Sequence, residues 1–251
     1  MLLGTGTLVP DTDRGPAGFL LEAGGARLLV DGGSGTLARL KRAGVDAREL
    51  DGGVYSHRHI DHTGDLTPLL FAMRVGIDRP RHRDYPIWAG EGFTEFLGGL
   101  QGVYGSWIRS ERFAVPVEEL PLDGPGTALL PGGVRLDTLP ARHTGGALHL
   151  RFTTPEGRTV VFSGDTGPSE ALATLSADVD LLVTECASDG PDPWDAHLSP
   201  EDVAQVVYVA KPRRVILTHL YPGLDPARAL AVVAEAGVPV ERGWDGMVVE
   251  L

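Results

Sequence analysis

The string 56-SHRHIDHTGD-65 places His57, His59, Asp61 and His62 within six residues, and each can offer a nitrogen or oxygen to a metal ion. Neutral imidazole and carboxylate suit zinc and its first-row neighbours. The alternate spacing of His57 and His59 puts both rings on one side of an extended chain, so both can reach one ion. Asp61 and His62 come where the chain turns, and so aim at a second position nearby. The bland reading is a polar loop that holds histidines by accident. Histidine supplies 8 of 251 residues, so three within six positions are not expected by chance.

One such cluster cannot close a site, because a metal takes about four ligands and a catalytic metal keeps one position for water. Further ligands are expected at the ends of other strands. His143 follows the apolar run 134–139, Asp165 follows 159–163 in 162-FSGDTG-167, and His219 follows 215–218 in 216-ILTH-219. Singly, these read as a loop histidine, a turn carboxylate and a strand cap. A ligand-type residue after each of three separate apolar strands is hard to ascribe to accident.

The elements that must carry these residues follow from apolar periodicity and turn chemistry. Residues 19–23 and 26–31 read as strands around a Gly24-Gly25 hairpin turn. A helix spans 36–43 and stops at Gly44, a short strand over 53–56 delivers the chain to His57, and 67–75 is helical. A strand is expected at 86–89, a short helix at 92–100, and strands at 134–139, 148–153, 159–163 and 181–184. Ser199-Pro200-Glu201-Asp202 starts a helix running to about residue 210, with a capping hydroxyl, proline at the first position and acids in the first turn. A buried strand over 215–218, a helix over 226–236 and a final strand over 247–251 complete the chain. Met1-Leu2-Leu3 runs straight into Gly4-Thr5-Gly6, which leaves little strand ahead of that turn. The pattern predicts an α/β protein, a four-layer αββα sandwich of two mixed sheets, with one domain over 1–251.

The bulk numbers narrow the partners. The formal charge is −12, with 34 acids against 22 bases, which disfavours a large nucleic-acid footprint. The argument weakens locally, because bound metals dominate the charge of their own neighbourhood. Cys186 is the only cysteine, so no disulfide forms within the chain. No stretch has the ~18 apolar residues of a membrane span and no basic-then-apolar signal opens the chain, which points to a cytoplasmic setting. The basic loop Arg79-Pro80-Arg81-His82-Arg83, with Arg74 nearby, could steer an anionic substrate, though a solvated charged loop is the commoner reading. His149, inside a strand, is expected to face solvent.

The motifs His57-x-His59-x-Asp61-His62, then His143, Asp165 and His219, resemble in content and order those of the metallo-β-lactamase-fold hydrolases, and more narrowly their ribonuclease Z-like and cyclic phosphodiesterase branch. The resemblance extends over essentially the whole chain. Gly4-Thr5-Gly6 looks like that branch's opening turn, 29-LVDGGSGT-36 like its first motif, 181-LLVTEC-186 like its strand ending in a glutamate, and 244-WDGM-247 like its close. The resemblance implies two divalent metal ions, zinc first among candidates, with manganese or iron able to use the same donors. It implies that His57, His59 and His143 hold one ion, that Asp61, His62 and His219 hold the other, and that Asp165 bridges them. Asp31 would orient a ligand histidine from behind, its bland alternative being the start of the Asp31-Gly32-Gly33 turn. His197, in 195-DAHLSPEDV-203, resembles the branch's additional histidine, which assists departure of the leaving group; either Asp195 or Glu185 could hold its ring. Catalytic work is thus expected of His197, Asp61, Asp31 and Glu185.

Two metals would make hydroxide available near neutral pH and polarise a phosphoryl or carbonyl oxygen. The leading expectation is a phosphodiesterase acting on a small phosphodiester, cyclic ones included, because a leaving alkoxide benefits from a general acid such as His197. The resemblance also admits a tRNA 3′-processing endonuclease, which grips RNA with a protruding basic arm. Only 21 residues separate His143 from Asp165 and 31 separate Asp165 from His197, which leaves no room for that arm. A lactamase or thioester hydrolase fits the fold too, and a metal-binding protein without turnover is the reading from another class. The stretch 89-AGEGF-93 departs from the family by lacking the proline of a Gly-Pro-Gly-like turn, which bears on how substrate is held. A small phosphodiester is the expected partner, no membrane is expected, and a homodimer is carried over from relatives.

Overall fold

Alternation of apolar residues along the strands builds three hydrophobic layers, and these set the architecture. The computed structural model describes residues 1–76, 81–190 and 196–251. In chain order its elements are β1 (Leu2–Gly4), β2 (Gly18–Ala23), β3 (Ala26–Gly32), α1 (Thr36–Arg42), β4 (Gly52–Tyr55), α2 (Ile60–Thr63), α3 (Leu66–Val75), β5 (Ile87–Gly90) and α4 (Phe93–Tyr104). There follow β6 (Val117–Leu120), β7 (Gly126–Leu130), β8 (Val134–Pro140), β9 (Leu148–Thr153), β10 (Thr159–Phe162), α5 (Glu170–Leu175), β11 (Leu181–Glu185), α6 (Pro200–Ala210), β12 (Val215–Thr218), α7 (Pro226–Ala234) and β13 (Val240–Arg242).

The first sheet runs β1-β2-β3-β4-β5-β6 and the second β13-β12-β11-β10-β9-β8-β7. Both are mixed: β3 to β6 pair in parallel beyond an antiparallel β1-β2-β3 edge. In the second sheet β10 to β13 are parallel and β7 to β10 antiparallel. Leu28 and Val30 of β3, Val160 and Phe162 of β10, Leu181 and Val183 of β11, and Ile216 of β12 pack into the layer between the sheets. Their neighbours turn the other way: Leu29 meets α1, α3 and α4 on one outer face, and Val161, Leu182 and Leu217 meet α5, α6 and α7 on the other. This period-two division of each strand yields the expected αββα sandwich.

Most elements lie where the periodicity predicts, within two or three residues at their ends. Ser199 caps α6 through a full capping box with Asp202, and Gly24 and Gly25 both take the positive φ of the tight hairpin. Several elements are not foreseen: β6, β7 and β13, which lie at edges of the two sheets, the single turn α2 and the six-residue α5. The expected strand at 247–251 does not form. That segment folds back instead, with Leu2 donating to the Met247 carbonyl at 2.8 Å and Gly246 donating to the Leu2 carbonyl at 2.7 Å.

His149 is a correction. It lies in β9 but is fully buried, its Nδ1 2.7 Å from the Ser163 carbonyl and its Nε2 3.0 Å from Ser169 Oγ. The basic loop differs from a solvated one as well. Arg81 is buried, and its guanidinium donates to the carbonyls of Arg48, Leu50, Arg83 and Asp84. Arg83 pairs with Asp51 and the Glu49 carbonyl, while Arg79 and Pro80 lie outside the described residues. These two arginines are spent on backbone carbonyls and an ion pair, so they do not project as a free steering patch.

Candidate metal centre

The candidate ligands lie on chain that leaves the carboxyl ends of strands, either directly or, for Asp61 and His62, on the helical turn that follows. The fully buried β4 ends at Tyr55, and Ser56 and His57 follow it out. His59 precedes the single turn of α2, which carries Asp61 and His62 on its buried side. His143 comes from the loop after β8, Asp165 from that after β10, and His219 from the residue after β12. Asp31, near the end of β3, and His219 both hold a left-handed backbone, with φ 53° each. Non-glycine residues keep that conformation only when their surroundings over-determine it, and such positions cluster at functional sites.

The donor atoms converge in two groups that share one residue. His57, His59, His143 and Asp165 form one, and Asp61, His62, Asp165 and His219 the other, with donor atoms inside each group within 4.8 Å of one another. Asp165 Oδ2 lies 3.7 Å from His57 Nε2, 3.8 Å from His143 Nε2 and 3.4 Å from His219 Nε2, while its Oδ1 lies 3.3 Å from His62 Nε2. His219 Nε2 is also 3.3 Å from Asp61 Oδ2. Among the described residues, the ring nitrogens His57 Nε2 and His62 Nε2 are buried without a hydrogen-bond partner, and both face this carboxylate. Buried polar atoms are otherwise satisfied almost everywhere, so orphaned imidazole nitrogens turned on one buried carboxylate fit a cation between them.

Electrostatics agree with that fit. Burial pulls the His57 and His143 imidazoles below the ordinary histidine range, keeping them in the neutral form that binds metals. Burial also opposes charge on His62, but Asp165 and Asp31 together outweigh it and hold its ring well above that range. Burial acts against the Asp165 carboxylate too, yet His219 and His62 keep it well below the usual range. A cation bound between these groups would answer the same negative charge that raises His62.

The supporting contacts are specific. Asp31 Oδ2 lies 2.8 Å from His62 Nδ1, and Asp31 also accepts from Ser56 N at 2.7 Å and Ser56 Oγ at 2.8 Å. Ser56 Oγ in turn lies 3.1 Å from His57 Nδ1. His143 Nδ1 lies 2.9 Å from the Ala196 carbonyl. Ser56 and Ala196 are partners that the sequence reading misses. A hydroxyl directly before the first ligand histidine is a usable signal for Ser56; Ala196 acts through its backbone and leaves none.

His197 stands over the cluster, with ring centroids 5.1 Å from His143 and 5.7 Å from His219, the latter stacked at 20°. Glu185 is the carboxylate behind it: its oxygens lie 3.1 and 3.2 Å from His197 Nδ1, and they also accept from Thr166 N at 2.6 Å and Leu198 N at 3.2 Å. Burial pushes the Glu185 carboxyl up from its usual range. Asp195, the other candidate, lies outside the described residues. The seven candidate ligands, with Asp31, His197 and Glu185, therefore meet at one place.

Comparison with known proteins agrees with this geometry. Residues 26–220 match the family model described as a β-lactamase superfamily domain. A ribonuclease Z of Mycolicibacterium paratuberculosis is 31% identical over 97% of this chain and 95% of its own length. The crystal structure of the metallo-β-lactamase-fold protein YhfI from Bacillus subtilis superposes with a TM-score of 0.83 at 25% identity, covering 98% of this chain and 96% of that one. Human tRNase Z, short form, shares the fold, with a TM-score of 0.79 at 19% identity over 100% and 98% of the two chains. Two mixed sheets, a histidine-aspartate cluster at their strand ends and relatives matched end to end lead to one assignment: this chain belongs to the β-lactamase superfamily, as a metal-dependent hydrolase of the metallo-β-lactamase fold and its ribonuclease Z-like branch.

Proposed function

We propose that the protein is a dinuclear metal-dependent phosphodiesterase acting on a small phosphodiester. His57, His59 and His143 would hold one ion, Asp61, His62 and His219 the other, and Asp165 both, with zinc best suited to this imidazole-rich set. When bound, the ions supply activation of water and polarisation of the phosphoryl oxygen. The observation that carries the reading is the sharing of Asp165 by two donor groups with the His197–Glu185 pair set beside them. Glu185 accepts the Nδ1 proton of His197 and fixes its tautomer, so Nε2 is the atom that hands a proton to the leaving alkoxide. Asp31 fixes the His62 ring from behind through Nδ1, and Ser56 does so for His57.

Ribonuclease Z activity is the second reading, favoured by the name and full-length match of the mycobacterial relative. The small substrate leads because the chain carries a charge of −12. Among the described residues, the stretch between His143 and Asp165 is also no more than the β9-β10 hairpin and its flanks.

Hydrolysis of bis-p-nitrophenyl phosphate, with metal content assayed, tests the reading. Turnover with about two metals per chain that chelator abolishes is the expected result. His197→Ala should lower kcat by about 10²- to 10⁴-fold while both metals stay bound. Efficient cleavage of a precursor tRNA with negligible turnover of small diesters would transfer the assignment to the second reading. Metal-loaded protein inert to both would send the search to carboxyl and thioester substrates.

A further inference from the structure

The four histidines whose rings meet Asp165 are not held alike. His57, His62 and His143 each have a partner at Nδ1: Ser56, Asp31 and the Ala196 carbonyl. Among the described residues His219 has none, and its Nδ1 is buried without a hydrogen-bond partner there. Beyond the contact of its Nε2 with Asp61, its ring direction therefore depends on its backbone, which sits in the left-handed region at φ 53°. The His219 N–H donates to the Thr5 carbonyl at 2.8 Å. Thr5 is itself buried, and both its N–H and its Oγ1 donate to Asp245 Oδ1 at 2.9 Å. The other oxygen of Asp245 accepts from Gly15 N at 2.8 Å and pairs with Arg39 Nε at 2.9 Å. One carboxylate from the closing motif 244-WDGM-247 thus locks the opening turn 4-GTG-6 onto the backbone of the last candidate ligand.

We propose that Asp245 is a positioning residue for the metal centre, acting through Thr5 to fix the backbone and hence the ring of His219. For His219 the clasp takes the place of the carboxylate or carbonyl that usually fixes a ligand ring from behind. Loss of such outer partners typically weakens metal binding about 10- to 100-fold. The effect should fall on one metal position alone, because His219 belongs to the group with Asp61, His62 and Asp165 and not to that with His57, His59 and His143. The inference rests on the dinuclear reading of that cluster.

The test is calorimetric titration of metal-stripped full-length protein with Zn²⁺, comparing wild type, Asp245→Ala, Asp245→Asn and His219→Ala, with folding checked by circular dichroism. Wild type should bind two ions. Asp245→Ala should weaken one step about 10- to 100-fold, the same step that His219→Ala abolishes, and leave the other unchanged. Asp245→Asn, which keeps one oxygen for Thr5, should show a smaller loss at that step, and it carries the test alone if the alanine variant does not fold. Two unchanged steps in a folded variant would overturn the proposal. Equal weakening of both steps would overturn it too, since that marks a general loosening. Wild type that binds no Zn²⁺ would instead bring down the dinuclear reading, and this inference with it.

Discussion

Asp165 is the residue on which both donor groups depend, and its carboxylate is buried among four imidazoles. A carboxylate so placed is costly unless cations or protons answer it. Against the effect of burial, Asp165 and Asp31 hold the His62 ring well above the ordinary histidine range, and its Nδ1 lies 2.8 Å from Asp31 Oδ2. His149 shows the opposite case, a histidine buried for structure. Desolvation pulls its pKa down to about 4, below the unfolded value near 6.5. Because the unfolded chain binds the proton more readily, stability is full above pH 6.5 and is lost as pH falls towards 4. The loss should approach about 3 kcal/mol. Urea titration of metal-free protein at pH 7 and pH 4.5 checks it: His149→Asn should start less stable at pH 7 but lose correspondingly less on acidification.

Among the elements, β5 and the loop carrying His143 touch more closely than any side chain would allow. A Cβ on Gly90 would lie 2.3 Å from the Gly146 carbonyl oxygen, and Gly146 itself has φ 89°. Arg58, between the first two ligand histidines, ties the same loop down by donating to the Gly145 carbonyl at 2.7 Å and to the Gly92 carbonyl at 3.2 Å. Gly90→Ala forces these backbones apart and should cost about 1–3 kcal/mol, read as a lower urea midpoint, with His143 displaced and metal affinity reduced. The turn 89-AGEGF-93, which lacks the family's proline, is thus shaped by contact with the His143 loop. Elements with local signals were legible beforehand: Ser199 before Pro200, Glu201 and Asp202 announces α6, and the Gly24-Gly25 pair announces its hairpin. The edge strands β6 and β7 were not legible, because VEEL and GTALL acquire their pairing only from β5 and β8, which are chosen in three dimensions.

For the molecule as a whole, the metal centre is a seam. Its residues come from strands of both sheets, so bound ions would join the two halves and add to global stability by linkage. At ligand concentrations about 100 times Kd one ion contributes about 2.7 kcal/mol. For a chain of this size its removal should lower Tm by about 5–10 °C, measured by scanning calorimetry before and after chelation and reversed by added Zn²⁺. An unchanged Tm would place the ions outside the folded cluster. The sequence by itself determined the donor types, their order and the strands that end at them, because ligand chemistry and period-two burial are written locally. It determined the layered fold for the same reason. Only the tertiary structure decided that Asp165 faces both donor groups, that Glu185 stands behind His197, that His149 is core and that Asp245 reaches His219 through Thr5. Those facts join residues 12 to 240 positions apart, and nothing in a local spacing encodes which distant backbones a fold will bring within hydrogen-bond reach.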